Sequence, residues 1–298
     1  MKIESFYSDY FLKFNVISTD SRKVVKDSIF ISLSGENFNG NRFASSALEN
    51  GAALAVVDDA DFFVDNGKYV LVDDSLTFLQ KLANYHRTHF NCPVLAITGT
   101  NGKTTTKELV AGALSLKFKT YYTQGNLNNQ IGVPLTLLSV NPNDAQFVVV
   151  EMGANHLTDI QELCDIAQPD YALVTSVGKA HLEGFGSIDA VVKTKTDLYR
   201  FVEKNHGICF VNADSELLMN NKPNSNFILY GTNRNDVYLT CWGMPDSNKV
   251  NVSFKWRYGT EAICNVSSSL YGQYNYLNML AAACVACFFG VDCFDVND

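Results

Sequence analysis

Apolar positions along this chain follow two rhythms: short β-branched runs, and longer stretches in which apolar residues recur every three or four positions. In the first part, Ser28–Leu33, Ala53–Val57 and Tyr69–Val72 read as strands. Phe43–Asn50 reads as a helix ending at Gly51, and Ser75–Phe90 as a helix capped by Ser75. Cys92-Pro93 breaks the pattern and marks a boundary. From Val94 the alternation lengthens, with strands expected at Val94–Thr98, Phe147–Glu151, Tyr171–Ser176, Ile208–Asn212 and Phe227–Tyr230. Helices between them predict right-handed crossovers and a mostly parallel sheet. Val237–Trp242, Val250–Trp256 and Glu261–Val266 read as antiparallel strands on one edge, before a last helix from about Tyr276 to Phe289. The expected fold is α/β, with a small α/β domain over residues 1–90 and a larger domain over 91–298 whose sheet is flanked by helices.

One junction in this pattern carries chemistry. The apolar run Val94–Ile97 leads into Thr98-Gly99-Thr100-Asn101-Gly102-Lys103-Thr104-Thr105, and a helical stretch follows. A glycine-rich turn between strand and helix aims backbone N–H groups at an anion, and the helix dipole adds positive potential. Lys103 is placed to reach outer phosphates, and the Thr104 hydroxyl to hold Mg²⁺, so ATP or GTP is the expected ligand. Gly99, Thr100, Asn101, Gly102, Lys103, Thr104 and Thr105 form the expected triphosphate cradle. The commonest phosphate-loop spacing would put glycine at position 97, where Ile97 stands. The bland alternative is a Gly/Thr-rich turn with a surface lysine.

Parallel sheets deliver functional groups at the carboxyl ends of their strands. Glu151 ends one strand, Thr175 and Ser176 end another, and His181 follows soon after. Thr104 and Glu151 offer hard oxygens for Mg²⁺, with His181 as a ligand for a second ion. Glu151 could instead cap a helix starting near Asn155, His181 could be a surface turn residue, and Lys193 and Lys195 could be solvated charges.

The chain has 298 residues, 47 % of them hydrophobic, enough for two domains with ample cores. A net charge of −8 argues against a nucleic-acid partner. No apolar run reaches membrane-spanning length and no basic-then-apolar leader opens the chain, so neither a membrane nor a secretory route is expected. Most of the eight cysteines sit in apolar runs, and Cys284-x-x-Cys287, without a second pair, reads as packing in a buried helix. Reduced thiols suit the cytoplasm.

Several segments resemble a known family. Gly125–Leu138, the run Glu151-Met152-Gly153-Ala154-Asn155-His156, and Ala180–Ser187 are similar to the Mur ligases of cell-wall synthesis. The runs Asn126–Asn129 and His181–Ser187 place the resemblance in the dipeptide-adding branch, apart from the wider group that includes folylpolyglutamate synthase. Thr19-Asp20-Ser21-Arg22-Lys23 with Gly35–Gly40 resembles the family's uridine-nucleotide-binding domain. The resemblance implies an ATP-dependent carboxylate–amine ligase. The terminal carboxylate of UDP-N-acetylmuramoyl-tripeptide would be phosphorylated by ATP, and the acyl phosphate attacked by the amine of D-alanyl-D-alanine. It implies two Mg²⁺ ions held by Thr104, Glu151, His181 and a carbamylated Lys195, with Lys193 the weaker match for the carbamate. Lys103, Lys195 and His181 would be the catalytic set. Asn278 and Asn275 would lie at the adenine, although Asn275 could also cap the last helix. Ser21, Arg22, Asn39, Gly40, Asn126, Asn128, Asn129, Asn155 and His156 would bind the UDP substrate. A monomer is implied.

The chain also departs from the family pattern. Tyr274 stands for the usual histidine, while Thr196-Asp197 and Thr158-Asp159 stand for Gly-Glu. The family's third, acceptor-binding domain has no counterpart before Asp298, so weak binding of both nucleotides with little or no ligation is the expectation for this polypeptide. Three other readings remain: a silent nucleotide-binding module, a related ligase with another acceptor, and a generic P-loop NTPase.

Overall fold

The computed structural model describes residues 2–178, 185–232, 238–246, 249, 251–272 and 274–297. The fold is α/β, with mostly parallel sheets flanked by helices. Two compact units form: Met1–Phe90 with Gln130–Pro142, and Asn91–Asn129 with Asn143–Asp298.

In the first unit, strands β1 (Ile17–Ser18), β2 (Ile29–Ile31), β5 (Leu54–Val57) and β6 (Tyr69–Leu71) form a parallel sheet in that order. The hairpin β3 (Ser34–Gly35) and β4 (Phe38–Asn39) stands apart from it. β2 and β5 are buried at every position, which is why they read as unbroken apolar runs. Helix Ser75–Arg87 packs on helix Gly132–Leu138, although more than forty residues separate them along the chain. His86 joins the two segments, with Nε2 2.9 Å from the Val140 carbonyl and Nδ1 2.8 Å from the Tyr7 hydroxyl. The cap of Ser75–Arg87 is Asp74, not Ser75: the Asp74 carboxylate accepts the Thr77 N–H at 2.6 Å, while the Ser75 side chain is buried in the first turn.

The second unit is built on nine strands in the order β15-β14-β13-β12-β11-β10-β7-β9-β8. These are β7 (Val94–Thr98), β8 (Thr120–Tyr122), β9 (Phe147–Glu151), β10 (Tyr171–Val174), β11 (Ile208–Asn212), β12 (Phe227–Gly231), β13 (Cys241–Pro245), β14 (Asn251–Tyr258) and β15 (Cys264–Tyr271). All neighbours from β8 to β13 are parallel, and β14 alone runs against the rest, pairing antiparallel with both β13 and β15. The sequence pattern had put the switch one strand earlier and had missed β8, a three-residue, half-buried edge strand too short to show a period. Helix Tyr274–Phe288 packs on helix Lys103–Ser115. Its Ala281, Ala282, Ala283, Cys284 and Ala286 are all buried, and side chains this small let neighbouring backbones come close. Cys284 and Cys287 are free, buried thiols in that contact layer.

Candidate active site

Strand register decides what meets at the sheet's rim. Ile97 on β7 pairs with Glu151 on β9 and with Leu173 on β10, and Thr98 pairs with Val174. Three adjacent strands therefore end nearly level: β9 ends on Glu151, β7 runs into the Gly99–Gly102 loop and β10 into Thr175–Ser176. β7 lies between β9 and β10, so the connections diverge there and leave a crevice, the usual ligand position in such sheets.

The loop is clamped from below. Ser176 accepts the Thr100 N–H on its carbonyl (2.8 Å) and the Asn101 N–H on its hydroxyl (3.0 Å). The Thr175 hydroxyl donates to the Asn101 carbonyl at 2.6 Å. Two glycines are required by this fit. A Cβ on Gly99 (φ +150°) would lie 2.0 Å from Thr175 Oγ1, and one on Gly102 (φ +79°) 2.6 Å from Asn278 Oδ1. Helix Lys103–Ser115 starts directly after Gly102 with no side chain among the described residues capping it, which leaves its first N–H groups and dipole to face an anion. Lys103 folds back over the loop, donating to the carbonyls of Gly99 (2.9 Å) and Thr100 (3.2 Å). Burial draws its pKa below the ordinary lysine value, and the Glu151 charge opposes that shift.

Glu151 is 0 % exposed. Its Oε1 accepts from the Thr104 hydroxyl (3.2 Å) and from the Asn128 amide (2.8 Å). Its Oε2 is buried with no hydrogen-bond partner among the described residues. A buried carboxylate oxygen left unpaired costs several kcal/mol unless a cation compensates. The hydroxyl–carboxylate pair at the mouth of a phosphate loop fits Mg²⁺, which takes one or two protein oxygens and completes its shell with phosphate and water. No cluster of three or more His, Cys, Asp or Glu that could hold a metal occurs among the described residues. Glu151 does not cap the helix near Asn155. The helix starts later, at Asp159 (Asp159–Ala167), and Asp159 Oδ2 folds back to accept the N–H groups of Asn155 (2.7 Å) and His156 (2.9 Å) in the turn before it.

Helix Ile188–Lys204, capped by Ser187, separates the two lysine candidates: Lys193 is exposed and Lys195 is 3 % exposed. Lys195 Nζ lies 3.4 Å from the Ala154 carbonyl and 5.9 Å from the Phe185 ring centre. Burial first, and the Lys103 charge second, bring its pKa down to about 8, with Asp159 opposing.

Against this geometry, a family model described as the Mur ligase middle domain matches residues 97–286, and one described as the Mur ligase family, catalytic domain matches residues 13–87. The chain belongs to the Mur ligase family. It is 35 % identical over 288 residues to the UDP-N-acetylmuramoyl-tripeptide–D-alanyl-D-alanine ligase of Escherichia coli, covering 91 % of this chain and 60 % of that protein. The Bacillus subtilis enzyme of the same name is 30 % identical, with 92 % and 59 % covered. Among solved structures, MurF from Acinetobacter baumannii superposes with a TM-score of 0.83 at 29 % identity, over 95 % of this chain and 62 % of that one. MurF from Thermotoga maritima in complex with ADP gives 0.82 at 29 %, over 96 % and 66 %. The chain spans about 60 % of the length of the curated relatives it matches.

Other residues singled out by the sequence fall as follows. Asn278 abuts the loop at Gly102, and its amide donates to Asn275 Oδ1 at 3.1 Å. Asn275 donates in turn to the Tyr271 carbonyl (2.8 Å) rather than capping the helix. Asn128 sits on Glu151, while Asn126, Asn129, Asn155 and His156 are exposed in the same unit. Ser21, Arg22, Asn39 and Gly40 belong to the first unit. Arg22 is exposed and forks onto the Asp20 carboxylate (2.9 Å twice), and the Asn39 side chain accepts the Asn41 N–H (2.9 Å). Gly40 packs so closely on Leu33 that a Cβ would lie 2.1 Å from its carbonyl oxygen, so a structural need accounts for that glycine. His181 lies outside the described residues. Sequence reasoning assigned no role to Asp159 or Thr123, and none to Thr175 and Ser176 beyond their place at a strand end. No helix among the described residues is long and apolar enough to cross a membrane.

Proposed function

We propose that this chain forms the UDP-substrate-binding and ATP-binding parts of a ligase that joins D-alanyl-D-alanine to UDP-N-acetylmuramoyl-tripeptide through an acyl phosphate. The observation that carries the reading is the buried, half-satisfied Glu151 carboxylate one hydrogen bond from Thr104, at the start of the phosphate-loop helix. The names of the E. coli and B. subtilis relatives and the ADP complex of the T. maritima neighbour support it.

A carboxylate is a poor electrophile until one of its oxygens becomes a leaving group, and an anionic carboxylate and an anionic triphosphate repel each other. The helix N–H groups after Gly102 would bind the phosphates, and Lys103 would leave its resting loop carbonyls to neutralise transferring charge. Asn278, stacked under Gly102, and Asn275 would meet the adenine edge, where an amide can both donate and accept. Thr104 and Glu151 would hold Mg²⁺, which when bound screens the repulsion between phosphate and carboxylate.

Lys195 supports a second anionic ligand. A cation there is buried and faces the Lys103 charge. Addition of the neutral amine to CO₂ forms a C–N bond, releases one proton to solvent and leaves a carbamate anion, so that Lys103 and residue 195 attract instead of repel. The depressed pKa supplies the neutral amine that reacts.

Thermal melting tests the reading. A non-hydrolysable ATP analogue with Mg²⁺, and separately UDP-N-acetylmuramoyl-tripeptide, should each raise the melting temperature, by about 2.7 kcal/mol of stabilisation at a hundredfold excess over Kd. Silence toward the UDP substrate, with a response to ATP alone, would leave a generic nucleotide-binding protein. Carbon-13 bicarbonate should give a carbamate signal that disappears in Lys195→Arg.

A further inference from the structure

A second lysine of the phosphate-loop helix is more deeply buried than Lys103 and plays no part in the scheme above. Lys107 is 0 % exposed. It lies one helical turn beyond Lys103 and three residues beyond Thr104, on the same face. Its Nζ donates to the Thr123 carbonyl at 2.7 Å, pairs with Glu108 Oε1 at 2.7 Å and stands 5.6 Å from the Tyr122 ring centre. Burying an ammonium group is costly, and an apolar side chain of the same length would fill the space more cheaply. The cation therefore needs a reason beyond packing.

Thr123 supplies one, because each of its polar groups has a different task. Its N–H donates to the Val149 carbonyl (3.0 Å), extending the β8–β9 pairing. Its hydroxyl accepts the N–H of Glu151 (2.9 Å). Its carbonyl takes Lys107. Five residues later, Asn128 donates its amide to Glu151 Oε1 (2.8 Å) and accepts the Gly153 N–H on its carbonyl (2.7 Å). Thr123 thus fixes the backbone of Glu151 where Asn128 and Thr104 hold its carboxylate, and Lys107 ties Thr123 to the helix that carries Thr104.

We propose that Lys107 is a positioning residue for the divalent cation: acting through Thr123, it sets Glu151 against Thr104 so that one helix controls both protein oxygens of the Mg²⁺ site. The inference rests on the metal-dependent nucleotide reading above. Mg²⁺ affinity then depends on a residue that never touches the ion, while phosphate binding by the loop does not.

The test is binding of a non-hydrolysable ATP analogue by the full chain, in EDTA and across a Mg²⁺ titration. Lys107→Met should raise the Mg²⁺ concentration for half-maximal tightening by about tenfold, the usual effect of losing a partner behind a metal ligand. Its EDTA affinity should match that of the parent. Thr123→Val, which removes the acceptor for Glu151, should reproduce the shift, and Thr123→Ser should not. Equal weakening with and without Mg²⁺ would mean that Lys107 only supports the loop and would overturn the proposal, as would an unchanged titration. If Lys107→Met does not fold, a parent-like titration by Thr123→Val overturns it. A parent protein without any Mg²⁺ response would instead remove the metal site itself, and this inference with it.

Discussion

Two opposed demands meet at Lys195 Nζ. Folding disfavours its charge, since burial and Lys103 together bring the pKa from 10.5 to about 8. The sign of the resulting pH dependence follows from proton counting. Below pH 8 both folded and unfolded chains carry the proton, and the folded state bears the whole penalty of a buried cation. Between pH 8 and 10.5 the folded state sheds the proton while the unfolded chain keeps it, so stability rises through that window. In CO₂-free buffer, Lys195→Met should therefore be more stable than the parent below pH 8. That advantage should shrink by roughly 3 kcal/mol as pH rises to 10.5, as read by urea unfolding at each pH. A constant difference would mean that the amine is not perturbed by burial.

At the scale of elements, the first unit depends on one imidazole where three segments meet. Tyr7 lies in the N-terminal helical turn, His86 in the last turn of helix Ser75–Arg87, and Val140 just beyond helix Gly132–Leu138. Nε2–H donates to the Val140 carbonyl, which leaves Nδ1 to accept from the Tyr7 hydroxyl, so the ring is satisfied only when neutral. Burial holds its pKa below 6.5. As pH falls through 6.5, the unfolded chain takes up a proton that the folded unit resists, and stability is lost on acidification. His86→Gln should be less stable at pH 7, by about 1–3 kcal/mol for the broken buried hydrogen bonds, and should lose less stability between pH 7 and 5. Chemical denaturation at both pH values checks this. A parallel decline in the two proteins would exclude His86 as the acid-sensitive point.

For the whole molecule, the chain leaves the first unit at Phe90 and contributes to it again over Gln130–Pro142. That return brings Val133, Leu137 and Leu138, all nearly fully buried, worth together on the order of 5 kcal/mol. This is comparable to the entire stability of a small domain. A polypeptide of residues 1–90 should therefore lack a dispersed amide NMR spectrum, and fusing residues 130–142 to it through a flexible linker should restore one. A well-dispersed spectrum from residues 1–90 alone would show that the return segment is dispensable.

The sequence by itself determined what depends on near neighbours in the chain. Buried β-branched runs declared the parallel strands, and the strand, glycine turn and helix around Lys103 declared a phosphate loop, because backbone geometry and helix dipoles are local. The choice of Lys195 over Lys193 and the adenine roles expected of Asn275 and Asn278 came from family resemblance, and in the structure Lys195 is buried while Lys193 is exposed. Only the tertiary structure decided the rest. The pairing of Ile97 with Glu151 set the Glu151 carboxylate level with the loop, Thr123 tied Lys107 to Glu151, and Gln130–Pro142 joined the first unit. These contacts link residues far apart in the chain, and their energies come from burial and register, which no local pattern records.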